Sequence, residues 1–100
     1  MKKDHLYFIQ SSKTGMIKIG RSKNPEKRLK QLQTGNQNKL RIVATFENIG
    51  WREAELHQDL KRWRIRANGE WFHYDCVGSL PTDLYEKIEW GAFDEWWKET

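Results

Sequence analysis

The 100-residue sequence predicts an α+β domain in which an antiparallel sheet is flanked by helices. Three observations predict it. Two β-rich runs flank a loop that ends in glycine, two later segments carry helical caps or helical spacing, and a third β-rich run lies between those two segments. Aromatic residues make up 13% of the chain, which gives bulk enough for one core in a length too short for two ordinary domains and argues against disorder.

Residues 6–9 (Leu-Tyr-Phe-Ile) and 16–19 (Met-Ile-Lys-Ile) read as strands, and the polar stretch ending at Gly15 reads as the loop of an antiparallel hairpin. Asn24 followed by Pro25 places a good cap before a residue whose fixed φ suits the first helical position. The helix so begun runs over residues 26–34, stops at Gly35 and turns Leu29 and Leu32 inward. Residues 40–46 (Leu-Arg-Ile-Val-Ala-Thr-Phe) are rich in β-branched side chains and form the third strand. From about residue 51 to residue 63 the spacing of Leu56, Leu60 and Trp63 gives one apolar helical stripe, with Asn48 or Gly50 at its start. Asn68-Gly69 signals a turn, and residues 70–74 (Glu-Trp-Phe-His-Tyr) form a short extended or irregular aromatic segment that closes the core. Pro81 opens a further helix with Leu84, Tyr85 and Ile88, and Trp90, Phe93 and Trp97 fit one more helical face. The expected organisation is a main domain over residues 1–78 and a Trp-rich helical extension over residues 79–100 packed on it. That extension could also serve self-association.

Composition excludes several classes. No apolar run approaches the roughly 20 residues of a bilayer span, and the first residues precede a strand rather than a signal-peptide core, so the expectation is a cytoplasmic protein without a membrane partner. Cys76 has no second cysteine to pair with, and no Cys/His spacing is that of a zinc site. The charge is unevenly placed. Residues 1–66 hold 16 Lys and Arg against 6 Asp and Glu, a balance of +10, whereas residues 67–100 hold 2 against 8, a balance of −6. A basic face of this kind either meets a polyanion, where released counterions drive association, or is simply solvated.

On a helix that advances about 100° per residue, Glu53, His57 and Leu60 share a face while Glu55 points away. An acid beside an apolar stripe needs a cation to offset its desolvation, and for Glu53 that cation is either a metal or a nearby arginine. Arg28, near the start of the first helix, reads by itself as one solvated cation among Lys23, Lys27 and Lys30. Tyr7 alternates with Phe8, and which of them faces which side is open. His57, His5 and His73 are each more often structural than ligating.

The arrangement of these residues resembles the GIY-YIG nuclease superfamily. His5-Leu6-Tyr7 stands at the first motif, Lys18-Ile19-Gly20 at the second, Arg28 at the helix arginine and Glu53 at the metal-binding glutamate. The run from Lys18 through Gln33, with Glu53-x-x-x-His57 and Gly69-Glu70-Trp71-Phe72, resembles the small phage and bacterial branch described as a phage-type DNA-binding domain. The likeness covers about residues 5 to 75. It implies a three-stranded antiparallel sheet flanked by helices and metal-dependent hydrolysis of phosphodiester bonds in DNA, with RNA also open. In that reading Glu53 holds Mg²⁺ or Mn²⁺, hard cations that seek oxygen ligands, and Arg28 donates to the phosphate as charge develops. Tyr7 orients or deprotonates the water.

Two departures bear on the chemistry. His5 replaces the glycine of the first motif, and Lys18 stands where many members have a second tyrosine, so Lys18 becomes a phosphate contact or a base. His57 is a proton carrier or water-orienting group, and Arg21, Lys23, Lys27 and Lys30 dock the nucleic-acid backbone. The rival reading is a catalytically inactive nucleic-acid-binding module of the same fold, with Glu53 only a salt-bridge partner.

Overall fold

A computed structural model describes residues 4–65 and 70–88. Four strands form one antiparallel sheet: β1 (His5–Ser11), β2 (Ile17–Ser22), β3 (Leu40–Phe46) and β4 (Trp71–Phe72), in the order β3-β1-β2-β4. The hairpin, the α+β class and the span of β3 are as the sequence predicts. The fourth strand is an addition to the expected three. It forms because Ile17 and Lys18 of β2 leave an open edge, against which Phe72 and Trp71 pair. The hairpin loop turns through Gly15 at a φ of 74°, a conformation in which a side chain would be strained.

Helix α1 (Pro25–Thr34) begins as its sequence dictates: the Asn24 side chain accepts from the Lys27 amide at 3.1 Å, and Pro25 occupies the first position. Beyond Gly35, the Gln33 side chain organises the chain. Its Nε2 donates to the carbonyls of Asn36 and Asn38 at 3.2 and 2.9 Å, and its Oε1 accepts from the Leu40 amide at 2.8 Å.

The long helix expected from residue 51 to residue 63 is divided. A 3₁₀ turn (Gly50–Arg52), helix α2 (Glu53–Asp59) and a second 3₁₀ turn (Lys61–Trp63) follow one another. The apolar spacing of Leu56 and Leu60 still holds, and both are fully buried. What the spacing does not encode is the tighter winding at both ends, where neither Asn48 nor Gly50 provides a side-chain cap: Ile49 is the cap residue of the first turn, and Asn48 sits at a φ of 62°.

Alternation along β1 sends its side chains to two cores. Leu6 and Phe8, with Ile17 and Ile19 of β2, face α2 and bury Leu56, Leu60 and Phe72. Tyr7 and Ile9 face the other side, against Leu40 and the α1 residues Leu29 and Leu32. The sheet is thus covered on both sides, and Tyr7 lies in the smaller core. Cys76, in a 3₁₀ turn (Tyr74–Ser79), is buried. Helix α3 (Thr82–Tyr85) follows Pro81, and Leu80, Leu84 and Ile88 join the larger core while Tyr85 stays exposed. The Asn68-Gly69 turn and the Trp90, Phe93 and Trp97 face lie outside the described residues. Among the described residues no helix is long and apolar enough to cross a membrane.

Candidate metal and nucleic-acid site

The β1–β2 register places Tyr7 opposite Gly20 and Ile9 opposite Lys18, and the β2–β4 register places Lys18 opposite Trp71. Tyr7 and Lys18 therefore share one face of the sheet. The Tyr7 ring lies over Gly20: a Cβ added there would fall 2.5 Å from the ring's Cζ and collide with its hydroxyl. Tyr7 is 2% exposed. Burial pushes its hydroxyl above the ordinary range, while the Arg28 guanidinium pulls the other way and the Glu70 and Glu53 carboxylates add to the rise. The phenol is the form present at neutral pH.

Lys18 is buried, and its Nζ donates to Glu70 Oε1 at 2.7 Å. Its ammonium is thus the partner of a carboxylate. Burial acts to raise the Glu70 carboxyl, but the Lys18 ammonium prevails and holds it below the usual carboxylate range, with His57 and Arg28 pulling the same way. Glu70 thus stays ionised at neutral pH. It stands just before β4, whose pairing with β2 brings it to the site.

Helix α2 supplies the rest. Glu53 and His57 lie one turn apart, both half-buried, and Glu55 is exposed. Ligand atoms of Glu53, His57 and Glu70 all lie within 4.8 Å of one another. His57 Nε2 is 2.8 Å from the Ile19 carbonyl. A carbonyl only accepts, so Nε2 carries a hydrogen, and Nδ1 is the ring atom left to face the site. The ring also packs on Phe72, with centroids 5.2 Å apart. Among the described residues no lysine or arginine lies within ion-pair distance of Glu53. Two carboxylates and an imidazole fit a divalent cation, and the mixed set suits Mn²⁺ better than Mg²⁺, which favours all-oxygen surroundings.

The structure therefore gathers Tyr7, Lys18, Arg28, Glu53 and His57, residues spread over two strands and two helices. Arg28 is exposed on α1, where its Nη1 donates to Gln31 at 3.2 Å. Lys27 and Lys30 are exposed on the same helix, and Lys23 is exposed just before it. Arg21 is different: its Nε is engaged with Asp4 Oδ2 at 2.9 Å, so any phosphate contact there competes with a carboxylate.

Sequence reasoning did not single out Glu70 as a site residue. The available signal was its place immediately before the Trp71-Phe72 pair, inside a segment already matched to the family pattern. Helical geometry pairs Glu53 with His57, but no local rule joins residue 70 to residue 53.

Residues 4–97 match the T5orf172 domain family. No curated protein and no solved structure gives a significant match.

Proposed function

Since the chain belongs to the T5orf172 domain family, we propose that it is a metal-dependent endonuclease of the GIY-YIG type that hydrolyses phosphodiester bonds in DNA. The observation that carries this reading is the convergence of Glu53, His57 and Glu70 within 4.8 Å, beside a tyrosine influenced by Arg28. Glu53 stands in the first turn of α2, and among the described residues no lysine or arginine lies within ion-pair distance of it, so its carboxylate is open to a cation.

Glu53 and Glu70 would hold Mn²⁺ or Mg²⁺ through carboxylate oxygens, and His57 would add Nδ1 or leave it to accept a proton. The cation bound there would supply Lewis-acid stabilisation of the phosphate and the departing 3′-oxygen. Arg28 would donate to the non-bridging phosphate oxygens, where its planar fork matches the developing charge. Tyr7, as a phenol, donates a hydrogen bond and orients water or phosphate; abstraction of the water's proton would fall to a group with a free lone pair, the role His57 Nδ1 would take in the neutral ring. Lys18 is a positioning residue that holds Glu70 ionised and fixed by its Oε1, so that Glu70 could still offer its other oxygen to a cation. Lys23, Lys27 and Lys30 dock the strand.

The test is cleavage of supercoiled plasmid and of single-stranded DNA by the wild type and by Glu53→Gln, with Mn²⁺, with Mg²⁺ and with EDTA. Cutting that requires metal and is lost in Glu53→Gln is the expected result. If neither protein cuts while both bind DNA equally, the chain is a binding module of this fold.

A further inference from the structure

A partly open cavity of about 130 Å³ lies at the end of the Tyr7 face, lined by Ser11, Thr14, Met16, Asn36, Asn38 and Trp71. We propose that this cavity receives a single unstacked pyrimidine base of the bound DNA strand, next to the phosphate at the metal site. The proposal rests on the nucleic-acid reading above and adds a base-selective subsite to it.

Position is the first argument. Along β1, Ser11 continues the alternation of Tyr7 and Ile9 on the same face, and its amide donates to the Met16 carbonyl at 3.0 Å. Met16 precedes Lys18 by two residues, a step of about 7 Å along an extended chain. Trp71 belongs to both places: it lines the cavity and pairs with Lys18, whose ammonium holds Glu70. The cavity therefore lies beside the β2–β4 pair that carries Lys18 and leads to Glu70.

Chemistry is the second. None of the six lining residues is ionisable near neutral pH, so the cavity suits an uncharged group rather than a phosphate. Half-buried Trp71 offers an aromatic surface, and bases stack on such rings without regard to sequence. Ser11 is 4% exposed, and its Oγ has no hydrogen-bond partner, a state that a buried hydroxyl rarely keeps. The Asn38 backbone is clamped by Gln33 and by Asn36 Oδ1, and no described group bonds its side-chain carboxamide. That carboxamide offers a donor and an acceptor side by side, a pattern that the pairing edges of thymine and cytosine complement as adenine's does, so the fit of the ring sets the preference.

Size is the third. An engineered protein cavity of about 150 Å³ takes one benzene ring. A single pyrimidine ring fills a space of this order, whereas the larger two-ring purine would extend out through its open side.

The experiment measures binding of fluorescently labelled oligothymidine, oligocytidine and oligoadenine strands to the full chain in EDTA, for the wild type, Asn38→Ala and Ser11→Ala. The expected result is about tenfold tighter binding of the pyrimidine strands. Asn38→Ala should bring them down to the oligoadenine level while leaving oligoadenine affinity and its salt dependence unchanged. If all strands bind the wild type, and Asn38→Ala and Ser11→Ala alter none of them selectively, the subsite is refuted and the nucleic-acid reading stands. Failure of every strand to bind would remove the underlying reading, and free thymidine then decides the cavity on its own. A shift of the Trp71 indole N–H resonance that is absent in Asn38→Ala supports the subsite, and an unmoved resonance overturns it.

Discussion

The Tyr7 ring crosses the sheet directly over Gly20, at a place where a single added methyl would strike its hydroxyl. The glycine of the second motif is thus a steric requirement of the tyrosine in the first. Gly20→Ala must push the ring away from Arg28 and the carboxylates. Displacement of a reacting group by about 1 Å costs on the order of 100-fold in rate, and overpacking of this kind destabilises by about 1–3 kcal/mol. The expected outcome is a cleavage rate lowered at least to that extent, with DNA affinity within about twofold of wild type because the α1 lysines are untouched. Tyr7→Phe, which keeps the ring, should lose rate without the drop in melting temperature. Gly20→Ala with normal cleavage would show that the position of the Tyr7 hydroxyl does not matter.

The strands and the first helix were legible because their signals are local. Asn24-Pro25 caps a helix wherever it occurs, and the β-branched run of residues 40–46 has no good alternative to a strand. Tyr7 was placed on a strand, but its face was not, because both faces of β1 are buried and alternation alone cannot rank them. Glu53 and His57 could be joined by helical geometry within one element. Glu70 could not, since its approach depends on a two-residue strand pairing with the far side of the hairpin. The same pairing explains Lys18: the sequence leaves it a free phosphate contact or base, and its carboxylate partner comes from 52 residues away.

Cys76 gives a check on the larger core. Burial pushes its thiol up to about 12, with Asp75 adding to the rise. Thiolate is the reactive form, and a thiol at this level supplies almost none at pH 8. Iodoacetamide at that pH should leave the native protein unmodified for hours and label it fully in denaturant, as read by mass spectrometry. Fast native labelling would mean that the 3₁₀ turn carrying Cys76 opens readily.

Arg52, before α2, donates to Asp83 of α3 at 2.6 Å and holds its carboxyl below the ordinary value of 3.8, so this bond ties the start of the site helix to the chain after β4. A carboxyl lowered by folding contributes stability above its unfolded value and loses that contribution as pH falls through its folded value. Wild type should therefore exceed Asp83→Asn modestly in urea midpoint at pH 7; the difference should shrink as pH falls below about 3.8 and vanish only once the carboxyl is protonated in the folded chain as well. A constant difference from pH 7 to pH 2 would assign the effect to packing instead. Asp83 is largely exposed, so the difference is that of a surface pair.

The cation cluster has a consequence that does not depend on catalysis. A ligand that binds only the folded state stabilises it by RT ln(1 + [L]/Kd), about 2.7 kcal/mol at one hundred times Kd. Three ligating groups from α2 and the residue before β4 exist as a set only in the folded chain, so Mn²⁺ should raise the melting temperature of the wild type. Glu53→Gln and Glu70→Gln should each abolish most of that rise, since an amide replaces a charged ligand in both. His57→Ala should reduce it less, because the two carboxylates carry the charge that attracts the ion. Lys18→Met tests the positioning role. It removes the ammonium that holds the partly buried Glu70 ionised, so Mn²⁺ stabilisation should weaken and recover as pH rises, while cleavage should fall at every pH because Glu70 is no longer held by its Oε1. The observation that would count against the cluster is equal stabilisation by Mn²⁺ in the wild type and Glu70→Gln, which would leave Glu70 as the salt-bridge partner of Lys18 and nothing more.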